Sequence, residues 1–207
     1  MTRAVQCAAV GIAAVFLLVL GAALRPLLWP ESPAAAPVLT VTELGFVQDM
    51  TAHHQQALTL AARLDPGAEP AVRTLAEQIA DAQRVELGTL LGWTQLTGAA
   101  PTAPGPGTWM TGSTHQHHSA TETTMPGMAT LAELDALTTA RGRDAEILFL
   151  QLMYRHHSGG VTMARAADAL LTAGPIKRTA RAMARSQSQE MGYLGMLLAL
   201  RGAPPTP

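Results

Sequence analysis

Apolar residues recur three or four positions apart in four long segments of the chain, and residues that start or stop helices bound each segment. This spacing lines one face of a helix, so the pattern predicts four amphipathic helices. Thr42 is expected to cap the first helix, Asp65-Pro66-Gly67 to end it, and Gly174-Pro175 to separate the last two. The predicted helices cover residues 43–64, 70–96, 130–172, with a break near Gly142, and 176–201.

The first and third of these helices carry the same pattern. Residues 46–61 read FVQDMTAHHQQALTLA and residues 149–164 read FLQLMYRHHSGGVTMA, so a shift of 103 superimposes their His-His pairs. A shift of 104 superimposes Gln83-x-x-Glu86 of the second helix on Gln187-x-x-Glu190 of the fourth. Each half is then one helical hairpin, which cannot bury its apolar face alone. The predicted fold class is all-α, an antiparallel four-helix bundle of two duplicated hairpins.

An uncharged stretch from Ala4 to Leu24 precedes the helical domain. Its 21 residues are long enough to cross a bilayer as a helix, and Arg3 favours a cytoplasmic start. The stretch indicates a signal anchor or, alternatively, a cleaved signal peptide, and both export the rest of the chain. The predicted organisation is a signal segment at 1–25, a Pro/Ala linker at 26–41 and a helical domain at 42–202, with repeat halves 42–97 and 130–202 joined by a loop at 98–129.

Composition narrows the classes of function. Charged residues make up 14% of the chain, the net charge is −1 and no Lys/Arg run occurs, so nucleic-acid binding is not expected. Cys7, the only cysteine, lies in the N-terminal apolar stretch, so the exported domain has no disulfide and no thiolate ligand. The ten methionines are, on composition alone, gap-filling core residues. No catalytic triad, phosphate loop or dinucleotide fingerprint is present, and no catalytic residue is predicted.

The repeated His pairs are the candidates for chemistry, because the heptad pattern places all four at the border of the core. They are His53, His54, His156 and His157. Counting residues from each hairpin turn gives their heights along the bundle axis, and these heights bring Glu86 near Met50 and His53. They bring Glu190 near His156 and His157. Two interpretations stay open. One is a hydrogen-bonded core without metal, since buried imidazoles need partners. The other is a metal site, because imidazole suits copper, zinc and iron, and thioether adds a preference for Cu(I).

These segments resemble the domain-of-unknown-function 305 family. The resemblance rests on Met-x-x-His-His in both halves, on Gln83-x-x-Glu86 and on the Met125–Met128 element MPGM, and it covers residues 42–200. It implies a ferritin-like four-helix fold, export or membrane anchoring, and in some members copper binding and tolerance. Carried over by position, it implies a conserved set that includes Gln83 and Gln187. The implied metal ligands are Met50, His53, His54, Glu86, Met125, Met128, Met153, His156, His157, Met163 and Glu190.

The chain departs from the family pattern at several positions. Ala145-Glu146 stand where Phe-Asp is frequent, and Gly160 stands where Ala is frequent. Leu60 and Leu90 replace methionines that are common in the family. The first half therefore has fewer sulfur donors, and the second half is expected to be the better site for a soft metal.

The loop between the halves adds His115, His117 and His118, which either chelate Cu(II) or zinc without a preformed fold or belong to an ordinary solvated linker. Three functions follow from the sequence. The first is an extracytoplasmic copper-binding protein that sequesters the ion or passes it on, with zinc or iron as alternative ions. The second is a membrane-anchored structural or interaction module with a hydrogen-bonded His/Glu core. The third, a di-iron oxidase, is disfavoured because the Glu-x-x-His spacing of such sites is missing.

Overall fold

The computed structural model describes residues 13–24, 38–103, 105–111 and 125–205. All regular structure in these residues is helical, and they contain no strand. The all-α prediction is therefore confirmed. From Val38 onward the elements are α1 (Val41–Ala62), α2 (Pro70–Thr97), a 3₁₀ turn (Thr108–Thr111), α3 (Leu131–Thr139), α4 (Gly142–Leu170) and α5 (Pro175–Leu200).

The chain divides into two compact units, residues 1–37 and 38–207. In the first unit, residues 13–24 are described and form a helix. No helix in the described ranges combines the length and apolar character that a membrane crossing needs. Part of the predicted span from Ala4 to Leu24 lies outside the described residues, and most of the predicted linker also lies outside them.

Helix starts follow local capping chemistry. Thr40 caps α1: its Oγ1 accepts the Glu43 N–H at 3.3 Å, and the Glu43 carboxylate accepts the Thr40 N–H at 2.8 Å. This reciprocal pair satisfies backbone donors that the first turn leaves free. The predicted cap at Thr42 is wrong by two residues, because the glutamate that completes the pair lies three positions after Thr40. Thr130 and Glu133 repeat the arrangement at the start of α3.

The predicted break near Gly142 is confirmed, since α3 ends before α4 begins at this residue. Gly142 adopts a φ of 54°, in the left-handed region that glycine tolerates without strain. Its N–H is accepted by Asp65 Oδ2 at 2.7 Å. The N–H groups of Gly142 and Gly67 lower the pKa of Asp65 because they donate hydrogen bonds to its carboxylate. Through these hydrogen bonds the turn after α1 is connected to the start of α4.

Helices α1 and α2 form one hairpin, α4 and α5 form the other, and the hairpins meet through α1 and α4. One apolar cluster joins the C-terminal half of α1 to the N-terminal half of α4, through residues such as Leu60 and Phe149. The other joins the N-terminal half of α1 to the C-terminal half of α4, through residues such as Phe46 and Met163. Helices α1 and α4 therefore run antiparallel, and each cluster draws on both repeat halves.

The repeat extends to hydrogen bonds outside the helices. Gln48 donates to the Ala100 carbonyl, just beyond α2, at 2.7 Å. Gln151 is its repeat equivalent, and it donates to the Pro204 carbonyl, just beyond α5, at 2.9 Å. Each hairpin is thus closed by the same contact between its first helix and the segment that follows its second.

A buried ion pair closes the end of the domain where α5 finishes. Glu146 accepts from Arg201 Nε at 2.6 Å and from the Glu69 N–H at 2.8 Å. Arg201 Nη2 also donates to the Glu69 carboxylate at 2.9 Å. Glu146 and Arg201 are both buried. The contacts join the starts of α2 and α4 to the end of α5, so Glu146 has a structural role.

Candidate metal centre

Four imidazoles form a buried layer between the two apolar clusters. His53 and His54 on α1 and His156 and His157 on α4 are each at most 1% exposed. Because α1 and α4 are antiparallel, the pairs face each other, and the ring centroids of His53 and His156 lie 3.8 Å apart with planes inclined by 34°. The term "His layer" is used below for these histidines together with their polar neighbours on α2 and α5, which are Gln83, Glu86, Gln187 and Glu190.

A carboxylate holds the second histidine of each pair. His54 Nε2 lies 2.7 Å from Glu86 Oε2, and His157 Nε2 lies 2.5 Å from Glu190 Oε2. An ionised carboxylate only accepts, so Nε2 carries the proton in both rings and donates it. The sequence placed Glu86 close to Met50 and His53, and the ring that Glu86 contacts is the adjacent His54. Successive side chains on a helix are rotated by about 100°, and it is His54 that points towards α2.

The first histidine of each pair donates to a backbone carbonyl instead. His53 Nε2 lies 3.2 Å from the Pro126 oxygen, and His156 Nε2 lies 3.0 Å from the oxygen of His53 itself. A carbonyl oxygen cannot donate, so Nε2 is protonated in these rings as well. All four histidines of the layer therefore share one tautomer, with the proton on Nε2.

The other nitrogen of each ring has no partner. All four Nδ1 atoms are buried without a hydrogen-bond partner in the described part of the chain. Gln83 Oε1 and both polar side-chain atoms of Gln187 are in the same state. An unsatisfied buried polar group costs about 1–3 kcal/mol. The layer therefore presents four imidazole lone pairs whose burial destabilises the fold unless they bind something.

Burial keeps the inner histidines neutral. Desolvation lowers the pKa of His53 from 6.5 to about 3, helped by the neighbouring His54 and opposed by the Pro126 carbonyl. Desolvation also takes the pKa of His156 well below 6.5, with His53 as the next cause. Neutral imidazole is the form that binds metal ions. The Nδ1 lone pairs of both rings thus stay available at neutral and mildly acidic pH.

Two consecutive glycines on α4 let neighbours reach the layer. A Cβ on Gly159 would lie 1.9 Å from the Pro126 oxygen. A Cβ on Gly160 would lie 2.2 Å from Gln187 Oε1 and 3.1 Å from His53 Cε1. Gly159 therefore admits the carbonyl that orients His53, and Gly160 admits the amide of Gln187 beside the same ring.

Residues 98–129 are called the connector, and its described parts contact α1. Asp49 accepts the Gly107 N–H at 2.7 Å and the Trp109 indole N–H at 2.8 Å. Burial raises the pKa of Asp49, and these two hydrogen bonds oppose the rise. Gln56 accepts the N–H of Ala129 at 2.6 Å and donates to its carbonyl at 2.9 Å. The connector is thus fixed on both sides of the carbonyl that reaches His53.

Sequence reasoning missed Asp49 and Gln56 as structural anchors. The available signal was a difference between the repeat halves, because Leu152 and Gly159 stand at the equivalent positions of α4. At both positions the polar residue of the first half has its partner outside the repeat.

The predicted sulfur ligands are not grouped by repeat half. Met50 and Met163 lie in one apolar cluster, with Met125 packed against it, whereas Met153 lies in the other. Met128 is partly buried in the connector. Met50 and Met153 each precede the His pair of their own helix by about one turn, so the expectation of one Met-His site in each half, with a better one in the second, stays a prediction. Antiparallel packing places Met50 and Met153 on opposite sides of the His layer.

Within the described ranges, no group of three or more His, Cys, Asp or Glu side chains is placed to hold a metal ion. His115, His117 and His118 lie outside those ranges. The donors that the layer and its borders supply are imidazole nitrogens, flanking carboxylates and thioether sulfurs. This donor set suits a soft or borderline ion that accepts few ligands.

Two antiparallel helical hairpins around a layer of buried imidazoles define a class of small helical proteins with metal donors in the core. The chain belongs to the DUF305 family, a domain of unknown function, whose model matches residues 43–198. No curated protein matches the chain.

Solved structures share this fold. A DUF305 protein from Streptomyces coelicolor is 38% identical, with a TM-score of 0.71 over 80% of this chain and 96% of that one. A DUF305 fragment from Deinococcus radiodurans is 33% identical, with a TM-score of 0.64 over 78% of this chain and 97% of that one. CopM in its Cu(I)-bound form is 23% identical, with a TM-score of 0.57 over 78% of this chain and 98% of that one.

Proposed function

We propose that this chain is an exported copper-binding protein whose His layer takes up the ion, to sequester it or to pass it on. The observation that carries the proposal is the set of four bare Nδ1 atoms. Each belongs to a ring that is buried, oriented through its other nitrogen and left without a partner. Metal-bound histidines commonly donate their second ring N–H to a carboxylate or a backbone carbonyl, which fixes the tautomer. All four rings already make that contact.

The flanking carboxylates act in this proposal as orienting groups. Glu86 and Glu190 accept from the far nitrogen of His54 and His157, so each carboxylate directs the Nδ1 lone pair of its ring. For His53 and His156 backbone carbonyls do the same. The sequence-based role of the two glutamates as direct ligands is the alternative, and replacing each with Gln separates the two roles.

Copper is the proposed ion because soft donors border the layer on both sides. Met50 and Met163 lie in one adjoining cluster and Met153 in the other, and thioethers favour Cu(I) over harder ions. The likeness to CopM, which has been solved with Cu(I) and with Cu(II), supports the same choice. Zinc and iron serve as comparison ions in the test.

Export and the finer fold class belong to this proposal too. The uncharged stretch from Ala4 to Leu24 supports export, by anchor or by cleaved signal, and the Streptomyces coelicolor relative is described as a candidate secreted protein. The antiparallel contact of α1 with α4 supports a four-helix, ferritin-like bundle made from the two hairpins. Cell fractionation and N-terminal sequencing of the native protein distinguish anchor from cleavage.

The test is metal titration of the purified full-length chain against competing chelators, with Cu(I), Cu(II), Zn(II) and Fe(II). The paired substitution of His53 and His156 by Gln is expected to remove tight Cu(II) binding. Glu86→Gln is expected to weaken binding about 10–100-fold, as the loss of an orienting partner does elsewhere. The matched control replaces His115, His117 and His118 by Ala.

Unchanged copper affinity in the His53/His156 variant would refute the proposal. Loss of affinity only in the loop control would move the site to the connector. Identical melting temperatures with chelator and with excess copper would instead favour an interaction module with a metal-free polar core.

A further inference from the structure

Five methionines gather on one side of the His layer. Three are fully buried in the apolar cluster that contains Phe46, and two on the connector and its 3₁₀ turn are partly buried against it. They are called the methionine cluster: Met50, Met163, Met183, Met110 and Met125. Half of the ten methionines of the chain thus lie at one end of the domain.

The two ends of the domain are built from the same repeated helices, so one end serves as a control for the other. Met163 corresponds to Leu60 under the shift of 103, and Met183 corresponds to Ile79 under the shift of 104. Leu60 and Ile79 are fully buried in the other apolar cluster. Branched aliphatic side chains therefore fill these positions adequately, and gap filling alone gives no reason for sulfur at one end.

We propose that the methionine cluster is a second metal site, built only from thioethers, for a monovalent soft cation such as Cu(I) or Ag(I). The inference deepens the proposed copper function, but it requires no imidazole. Thioether sulfur is a neutral, polarisable donor that selects Cu(I) among biological copper states. The apolar walls exclude water and disfavour divalent ions, because burying a larger charge costs more.

A buried carboxyl group lies at the edge of this cluster. Asp49 is 2% exposed and accepts the indole N–H of Trp109, which belongs to the apolar cluster that contains Phe46. A negative charge held near apolar walls favours a cation placed between them, because its field is weakly screened there. The residue equivalent to Asp49 at the other end is Leu152, so this carboxyl group has no counterpart there.

The partly exposed sulfurs give the ion a way in. Met110 belongs to the 3₁₀ turn beside Trp109, and Met125 precedes the residue whose carbonyl orients His53. Met110 and Met125 are therefore the members of the cluster that would first meet an ion from solvent.

Ag(I) tests the site without redox chemistry. The full-length chain is loaded, separated from free ion and analysed for silver per chain, and the coordination shell is read by X-ray absorption. The His53→Gln/His156→Gln variant is expected to keep one tightly held silver ion with sulfur-only scattering. The Met50→Leu/Met163→Leu variant is expected to lose one silver ion per chain and keep its uptake of Cu(II). The control is Met191→Leu/Met196→Leu on α5, outside the cluster.

The proposal is overturned if the Met50/Met163 variant holds as many silver ions as the wild type, or if the histidine variant shows no sulfur in its shell. Should circular dichroism show that the Met50/Met163 variant does not fold, the Met110→Leu/Met125→Leu variant decides at partly exposed positions. Silver uptake that is at least tenfold slower supports the proposal, and an unchanged rate of uptake overturns it. The two proposals fail separately. Cu(II) binding retained in the histidine variant after His115, His117 and His118 are also replaced by Ala removes the His-layer function and leaves the thioether site standing.

Discussion

The buried neutral His53 makes the metal-free domain sensitive to mild acid. Its pKa is about 3 in the folded chain and near the ordinary 6.5 when unfolded. Between these values the unfolded chain binds a proton that the folded chain does not, so stability is present above pH 6.5 and is lost as the pH falls through that value. His156, whose pKa is lowered in the same direction by the same cause, adds to the effect.

The magnitude follows from the size of the window. One proton is worth about 1.4 kcal/mol per pH unit, so lowering the pH from about 7 to about 5 costs about 2 kcal/mol at His53 alone. A comparable contribution from His156 would double the loss. Domains of this kind have total stabilities of about 5–15 kcal/mol, so the change is large enough to measure directly.

Urea unfolding followed by circular dichroism, with a metal chelator present, measures the free energy of unfolding at each pH. The His53→Gln/His156→Gln variant is the matched comparison, because every other titrating group is common to both proteins. The free energy of unfolding of the wild type is expected to fall more steeply as the pH is lowered, and the difference in slope corresponds to the binding of up to about two protons. Parallel stability curves for the two proteins would refute the assignment of both rings as buried and neutral.

Three further substitutions test contacts around the site by the same unfolding assay. Gly159→Ala should cost about 1–3 kcal/mol, because its Cβ would overlap the connector carbonyl, while Gly88→Ala, with open space around it, should gain up to about 1 kcal/mol. Glu146→Gln should cost about 3 kcal/mol by removing the buried one of the two carboxylates that pair with the Arg201 guanidinium, whereas Asp81→Asn in an exposed pair should cost under about 0.5 kcal/mol. Trp109→Phe should cost about 1–2 kcal/mol, since the ring contact survives but the indole donor to a buried carboxyl is lost.

Much of the fold could be predicted because the sequence contains an internal repeat. The repeat defined two hairpins, and the glycine and proline signals placed most helix ends within a residue or two. Helix α2 was expected at 70–96 and runs from Pro70 to Thr97. Thr40 was missed as a cap because the sequence offers two threonines, and the one chosen lacks a glutamate three residues later.

The site could be predicted only in part. Helical periodicity turned both His pairs inward, but it could not say which ring meets which carboxylate, since one residue changes the direction by about 100°. The sulfurs were assigned by sequence half, whereas antiparallel packing mixes the halves at each end of the domain. The role of Asp49 as an anchor could not be predicted from helical periodicity, which shows only which side of a helix a residue lies on. The partners of Asp49, Gly107 and Trp109, lie in the connector.

The connector also breaks the symmetry that the repeat would impose on the His layer. His156 donates to the backbone oxygen of His53, and a symmetric arrangement would return the bond from His53 to the oxygen of His156. His53 instead donates to Pro126, which reaches it over Gly159. One inner ring is therefore tied to a helix and the other to the connector. Gly159→Ala should consequently change the histidine NMR signals of His53 more than those of His156, which senses the change only through the neighbouring ring. Equal changes at both rings would show that the layer responds as one unit.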